Sequence, residues 1–189
     1  WLAGISVRIG YDRKGHWLLT HRIPHRKQEG TQHEARYTLE LLEPFGIRPV
    51  LLPPVLPLQA GATQRVAALL AASAIHPEER LIAVHPSASC ISKRWMPERF
   101  AQVADRLIER HHIRVCLVAG AEDARFADQT ARAMHHPAVN VAGKLSVGEL
   151  AALLRRCRLL LSNDSGPVHI AAAVGIPVVD LFGRNQAGL

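Results

Sequence analysis

Asn163-Asp164-Ser165-Gly166-Pro167 is the segment of this sequence best suited to chemistry. Ser165 and Gly166 stand where a helix would be capped, and Pro167 suits the first turn of a helix carrying His169. The free N–H groups of such a helix end, with the helix dipole behind them, form an anion site. Gly166 would either let a phosphate approach the backbone or supply a turn that only glycine tolerates. Plain capping explains the same residues equally well.

A second polar cluster, HPSASCISKRW at 85–95, gathers Ser87, Ser89 and Ser92 with the cations Lys93 and Arg94. Hydroxyls and cations converging on one crevice would suit a diphosphate, whereas a solvated basic loop ahead of a helix at Pro97 is the plainer reading. Glu122, two residues after Gly120, would accept hydrogen bonds from ribose hydroxyls or simply favour a helix start.

The elements that position these clusters are legible as alternating periods. Helical patterns at 60–74, 97–110, 122–134, 146–155 and 167–174 alternate with apolar runs at 81–84, 113–119, 138–142, 158–162 and 177–182. Repeated βαβ units mean a parallel sheet covered on both faces, and right-handed crossovers make it a doubly wound, Rossmann-like α/β domain. Its ligand crevice lies beyond the carboxyl ends of the strands, which is where both polar clusters, Glu122, GKLS at 143–146 and FGRNQ at 182–186 fall. Neither a G-x-G-x-x-G fingerprint after the first run nor a P-loop is present.

Upstream, 4–10 and 17–23 read as short strands and 32–42 as a helix with Ala35, Leu39 and Leu42 on one side. These elements show no core of their own and read as the end of a domain whose beginning is absent. Prolines at 44, 49, 53, 54 and 57 exclude a regular helix or central strand between them, and the interleaved Val, Leu and Phe residues favour a linker packed against something. The expected organisation is a domain remnant at 1–47, a Pro-rich linker at 48–60 and a nucleotide-binding domain at 61–189 that stops before its closing helices.

Composition narrows the partners. The 189 residues are 48% hydrophobic and 21% charged, ordinary globular usage. No run approaches the roughly 18 apolar residues of a membrane span, and the basic start lacks a signal-peptide core, so a cytoplasmic protein is expected. Three cysteines without C-x-x-C spacing suggest reduced thiols rather than disulfides or zinc. The pairs His111/His112 and His135/His136 lack ligand spacing and read as structural or surface residues, so no metal is expected. A net charge of +7 favours anionic partners, but 5% aromatic content without a basic recognition helix argues against nucleic acid.

Taken together, HPSAS…KRWMPERFAQVADRL, VCLVAGAEDARFADQ and NVAGKLSVGELAALLRRCRLLLSNDSGPVHIAAAVGIPVVDLFG resemble the C-terminal part of glycosyltransferase family 9, the ADP-heptose:lipopolysaccharide heptosyltransferases. HEARYTLELLEPFGI is similar to the stretch leading into that family's linker, so the resemblance covers nearly the whole chain. It implies a two-domain, GT-B type enzyme, inverting and independent of metal or other cofactors. The enzyme would move a heptose from ADP-heptose onto the lipopolysaccharide core at the inner face of the cytoplasmic membrane. Carried over by position, Ser89, Lys93, Asp164, Ser165 and Gly166 would hold the diphosphate and Glu122 the ribose, with His169 supporting the same helix start. The family's general base lies near the beginning of the full-length protein, so no catalytic residue is assigned here and the chain alone is expected to be inactive. Two departures stand out: Asp180 lies in a strand that is usually apolar, and Arg184-Asn185 replace the more frequent Pro-Thr. Another GT-B transferase, a nucleotide-sugar epimerase or a binding-only relative are the alternatives, because fold alone does not fix function.

Overall fold

The computed structural model describes residues 3–182. The loop expected at 182–186, including Arg184-Asn185, therefore lies outside the described residues except for Phe182. The chain divides into two compact units, Trp1–Pro53 and Pro54–Leu189.

In the first unit, strands β1 (Ile9–Tyr11) and β2 (His21–Ile23) pair in parallel, Ile9 opposite His21. Both are shorter than the sequence pattern suggests. Trp17 and Leu18, expected in a strand, lie instead in a 3-10 turn (His16–Leu18) that follows Gly15 at φ 88°. Helix α1 (Glu34–Leu39) is likewise shorter than its pattern and continues as a 3-10 turn, Glu40–Phe45, that contains Pro44 and stops at Gly46 with φ 73°. Tyr37 on α1 is buried, and its hydroxyl accepts the N–H of Thr31 at 3.2 Å and shares a hydrogen bond with the Thr31 hydroxyl at 3.1 Å.

The second unit begins with chain that belongs to no helix or strand. Leu56 packs against the core and donates its N–H to Ala173 O at 3.1 Å, while Val55 beside it is exposed. Five parallel strands follow: β3 (Leu81–His85), β4 (Arg114–Leu117), β5 (Val139–Asn140), β6 (Leu160–Asn163) and β7 (Val178–Leu181). Their spatial order is β5-β4-β3-β6-β7. The chain steps outward from β3 to β5, crosses back, and steps outward again from β6, so the winding reverses between β3 and β6.

Alternation within the strands explains the two layers. Leu81, Ala83, Cys116 and Leu160 face one side, beneath α2 (Ala60–Ala72), α5 (Val147–Arg156) and α6 (Gly166–Ala173). Ile82, Val84, Val115, Leu117 and Leu161 face the other, beneath α3 (Pro97–His111) and α4 (Ala124–Ala133), where Phe100 and Ala104 complete the core. Cys116 and Cys157 are buried free thiols, Cys116 pushed up to about 12 by burial, whereas Cys90 is exposed. Among the described residues no helix is long and apolar enough to cross a membrane.

Two polar devices fix helix ends. Ser146 and Glu149 form a reciprocal capping box at the start of α5, and Glu149 also pairs with Arg65 of α2. Asp105, buried on α3, accepts the N–H groups of His135 and His136 at 2.9 and 3.1 Å and the His135 ring at 3.0 Å, tying α3 to the exit of α4. His136 pairs with Glu109, so this pair of histidines is engaged by helix α3.

Ser146→Ala should cost about 1 kcal/mol of stability in a denaturant titration, the usual worth of a lost cap. Asp105→Ala should cost about 2–3 kcal/mol, since three donors lose a charged acceptor. Burial opposes ionisation of Asp105, but the hydrogen bonds from His135 and His136 outweigh it and hold the carboxyl below 3.8. Its contribution is thus complete above that value and is lost as pH falls through the lower folded value; pH-jump unfolding of parent and variant should converge in acid.

Candidate functional site

The reversal between β3 and β6 places two loops side by side. From β6, Asn163 is fully buried and its side chain reaches across to the β3–α3 loop, accepting from Trp95 N–H at 3.0 Å and donating to Pro86 O at 3.0 Å. This bridge brings Lys93 against Asp164, Nζ to Oδ2 2.5 Å, with both side chains about three-quarters covered (26% and 24% exposed). The hydrogen bond to Asp164 raises the Lys93 pKa above its ordinary value, so the cation is secure at neutral pH.

Arg94 does not join it. Its guanidinium donates to Ala88 O at 2.5 Å and Ser89 O at 3.3 Å and lies 4.5 Å over the Phe126 ring. It therefore folds the loop onto α4 instead of offering charge to the crevice, contrary to the expectation that both cations converge there.

Helix α6 starts at Gly166 and Pro167 with no side-chain hydrogen bond to its first turn. Ser165 holds the cap position, but its hydroxyl donates to Asn163 O at 2.9 Å and contacts the His85 ring at 3.1 Å. Gly166 is exposed, its φ lies outside the left-handed region, and a Cβ there would meet nothing within 4 Å. Of the two roles open to Gly166 from sequence, the strained turn is thereby removed. The free approach to the backbone remains.

Ser89 is exposed in the β3–α3 loop and Glu122 is exposed in a 3-10 turn, Ala121–Asp123, just past β4; neither enters the Lys93–Asp164 contact. Their hydroxyl and carboxylate stand free of that pair. His169 is exposed on α6 and acts electrostatically on Asp180 of β7. Asp180 Oδ1 is buried without a hydrogen-bond partner among the described residues. Burial, then the Asp164 charge, raise its pKa, while His169 and Lys93 pull it back.

Sequence reasoning missed a cavity of about 150 Å³ beside α6. Val118, Ala119 and Gly120 past β4, Val141 past β5, and Leu145 and Leu150 around the α5 start line it. His85 and Ser146 also line it, the rest of its walls are apolar, and it lies at the carboxyl ends of the strands. A larger cavity of about 220 Å³ lies between α2 and α5 near the amino end of β3. Its one lining arginine, Arg156, already donates to the carbonyls of His76, Pro77 and Glu79.

An open, five-stranded parallel sheet with a cation and an uncapped helix end at its switch point defines a doubly wound, Rossmann-like α/β domain. The glycosyltransferase family 9 (heptosyltransferase) model matches residues 1–188, and the chain belongs to that family. It is 33% identical to lipopolysaccharide heptosyltransferase 3 of Escherichia coli K12 over 96% of this chain and 52% of that protein. It is 30% identical to lipooligosaccharide heptosyltransferase 2 of Haemophilus ducreyi over 97% of this chain and 56% of that protein. The chain thus spans about half the length of these relatives. Among solved structures, a family 9 glycosyl transferase from Veillonella parvula superposes with TM-score 0.85 at 24% identity, covering 98% of this chain and 54% of that one. E. coli ADP-heptose lipopolysaccharide heptosyltransferase II gives 0.70 at 23% identity, covering 95% and 57%. An E. coli heptosyltransferase solved with ADP gives 0.61 at 19% identity, covering 92% and 54%.

Asp180→Asn should stabilise the protein at neutral pH. Because the folded pKa lies above 3.8, the native state holds this proton more tightly, and stability falls as pH rises through the unfolded and then the folded value. The gain in melting temperature should be present at pH 7 and vanish below pH 3.8.

Proposed function

We propose that this chain forms the donor-nucleotide half of a glycosyltransferase that transfers a heptose from ADP-heptose to the lipopolysaccharide core. The observation that carries the reading is the Lys93–Asp164 pair seated beside the uncapped start of α6, in a member of a heptosyltransferase family. A relative of the same fold has been solved with ADP.

In this reading the diphosphate lies along the β6–α6 loop, taking backbone N–H groups at Ser165 and Gly166 and the ammonium of Lys93. Asp164 cannot accept from phosphate oxygens and works by orienting Lys93. Ser89 adds a hydroxyl from the facing loop and His169 a second donor from the first turns of α6. The adenine enters the apolar slot at Val118 and Leu150, and Glu122 accepts from the ribose. When the sugar departs, negative charge builds on the nucleoside diphosphate, and a fixed cation plus a helix dipole stabilise it without reorganisation. The resemblance supports inversion without a metal cofactor. It also supports a cytoplasmic protein that touches the inner membrane surface, where a surplus of +7 would favour anionic lipid.

Calorimetry with ADP tests this. Lys93→Ala should weaken binding roughly tenfold or more, the loss expected for a charge-assisted bond. Gly166→Val should abolish binding with an unchanged far-UV spectrum, because the fold leaves room for the side chain but the phosphate does not. Parental affinity in both variants would remove the phosphate site from this loop.

A further inference from the structure

His85, at the carboxyl end of β3, is only 5% exposed and touches three serine hydroxyls. Ring Nδ1 lies 3.1 Å from both Ser162 Oγ and Ser165 Oγ, and Nε2 lies 3.0 Å from Ser87 Oγ. These contacts join β3, the β3–α3 loop, β6 and the cap of α6 at the reversal of the sheet.

One assignment of the protons accounts for the contacts to the ring and to Asn163 O. Ser162 donates its one hydroxyl proton to Asn163 O at 2.7 Å, and Ser165 donates its own to the same carbonyl at 2.9 Å. Both oxygens then face Nδ1 with lone pairs, so Nδ1 carries the ring proton and is shared between them. Nε2 is left as an acceptor for the Ser87 hydroxyl. Burial supports a neutral ring by lowering its pKa to about 4.

This arrangement has a consequence for α6. A serine at a cap position ordinarily accepts an N–H from the second or third helical residue. Pro167 has no N–H, so Val168 is the available donor, and it bonds to the Ser165 backbone carbonyl at 3.1 Å while the hydroxyl points to His85. We propose that His85 is a positioning residue: its Nδ1–H holds the Ser165 hydroxyl off the first turn of α6, which keeps the approach to the Ser165 and Gly166 N–H groups open to a phosphate-bearing ligand. The ligand part rests on the donor-nucleotide reading above. The hold on Ser165 stands on the geometry of the four side chains.

The isosteres separate the two ring nitrogens. His85→Asn keeps an N–H near the Nδ1 position, whereas His85→Gln supplies its polar atoms near Nε2 and loses the hold on Ser165. In His85→Gln the hydroxyl should turn to Val168, and amide hydrogen exchange there should slow roughly fivefold, the worth of one cap bond. ADP affinity should fall by a similar factor, return toward the parental value in His85→Gln/Ser165→Ala, and stay near parental in His85→Asn. Unchanged or faster exchange at Val168 in His85→Gln would overturn the hold on Ser165, and so would an affinity loss that the second substitution fails to restore. If the parent itself binds no ADP, the donor-nucleotide reading falls, and the exchange rates of Val168 alone decide the role of His85.

Discussion

The buried side chain of Asn163 is the constraint on which the site depends. Two segments far apart in sequence, the loop after β3 and the end of β6, meet where the sheet reverses, and one carboxamide joins them through Trp95 N–H and Pro86 O. In a dry interior such bonds are strong, and an orphaned partner is costly. Lys93 can therefore meet Asp164 at a fixed place instead of sampling solvent from an exposed loop. Arg94, folded back on Ala88 and Phe126, anchors the other end of the same loop.

The charges around that point form a graded set. Asp164 secures the Lys93 cation, while Asp180 stands behind with an oxygen that no hydrogen bond satisfies among the described residues. A desolvated acid is held in check by the cations before it, and it feels the first acid as repulsion. The crevice thus presents one cation, already paired, beside the backbone dipoles of α6, and not a large excess of positive side chains.

Much of the second unit was legible because its inner strands are buried along their length. Runs such as Leu81–His85 are buried throughout, and the helices between them carry clear apolar stripes, so periodicity alone places elements within a few residues. The loops beyond the strand ends then locate Lys93 and Asp164. His85, Ser162 and Asn163 were not legible as a network. They sit at the tails of apolar runs, where a polar residue marks the end of a strand as readily as a buried hub, and only the register of β3 against β6 shows that they meet. The apolar slot at Val118 and Leu150 was hidden for the same reason, its residues being indistinguishable from core. In the first unit the pattern misled: Trp17 and Leu18 look like strand, but Gly15 turns the chain ahead of them, and three-residue strands leave too little period to read. Arg94 was misplaced because a charge next to Lys93 reads as a partner when its stem has room to fold back.

The three thiols also turn the protein into its own reporter. Cys116 and Cys157 lie within the larger core, where burial keeps them protonated and out of reach, while Cys90 stands exposed three residues before Lys93. A maleimide dye would therefore attach to the folded molecule at a single place, on the rim of the loop that carries the cation. Its emission would register changes at that rim directly, and the two silent sulfurs would become reactive only when the sheet itself comes apart.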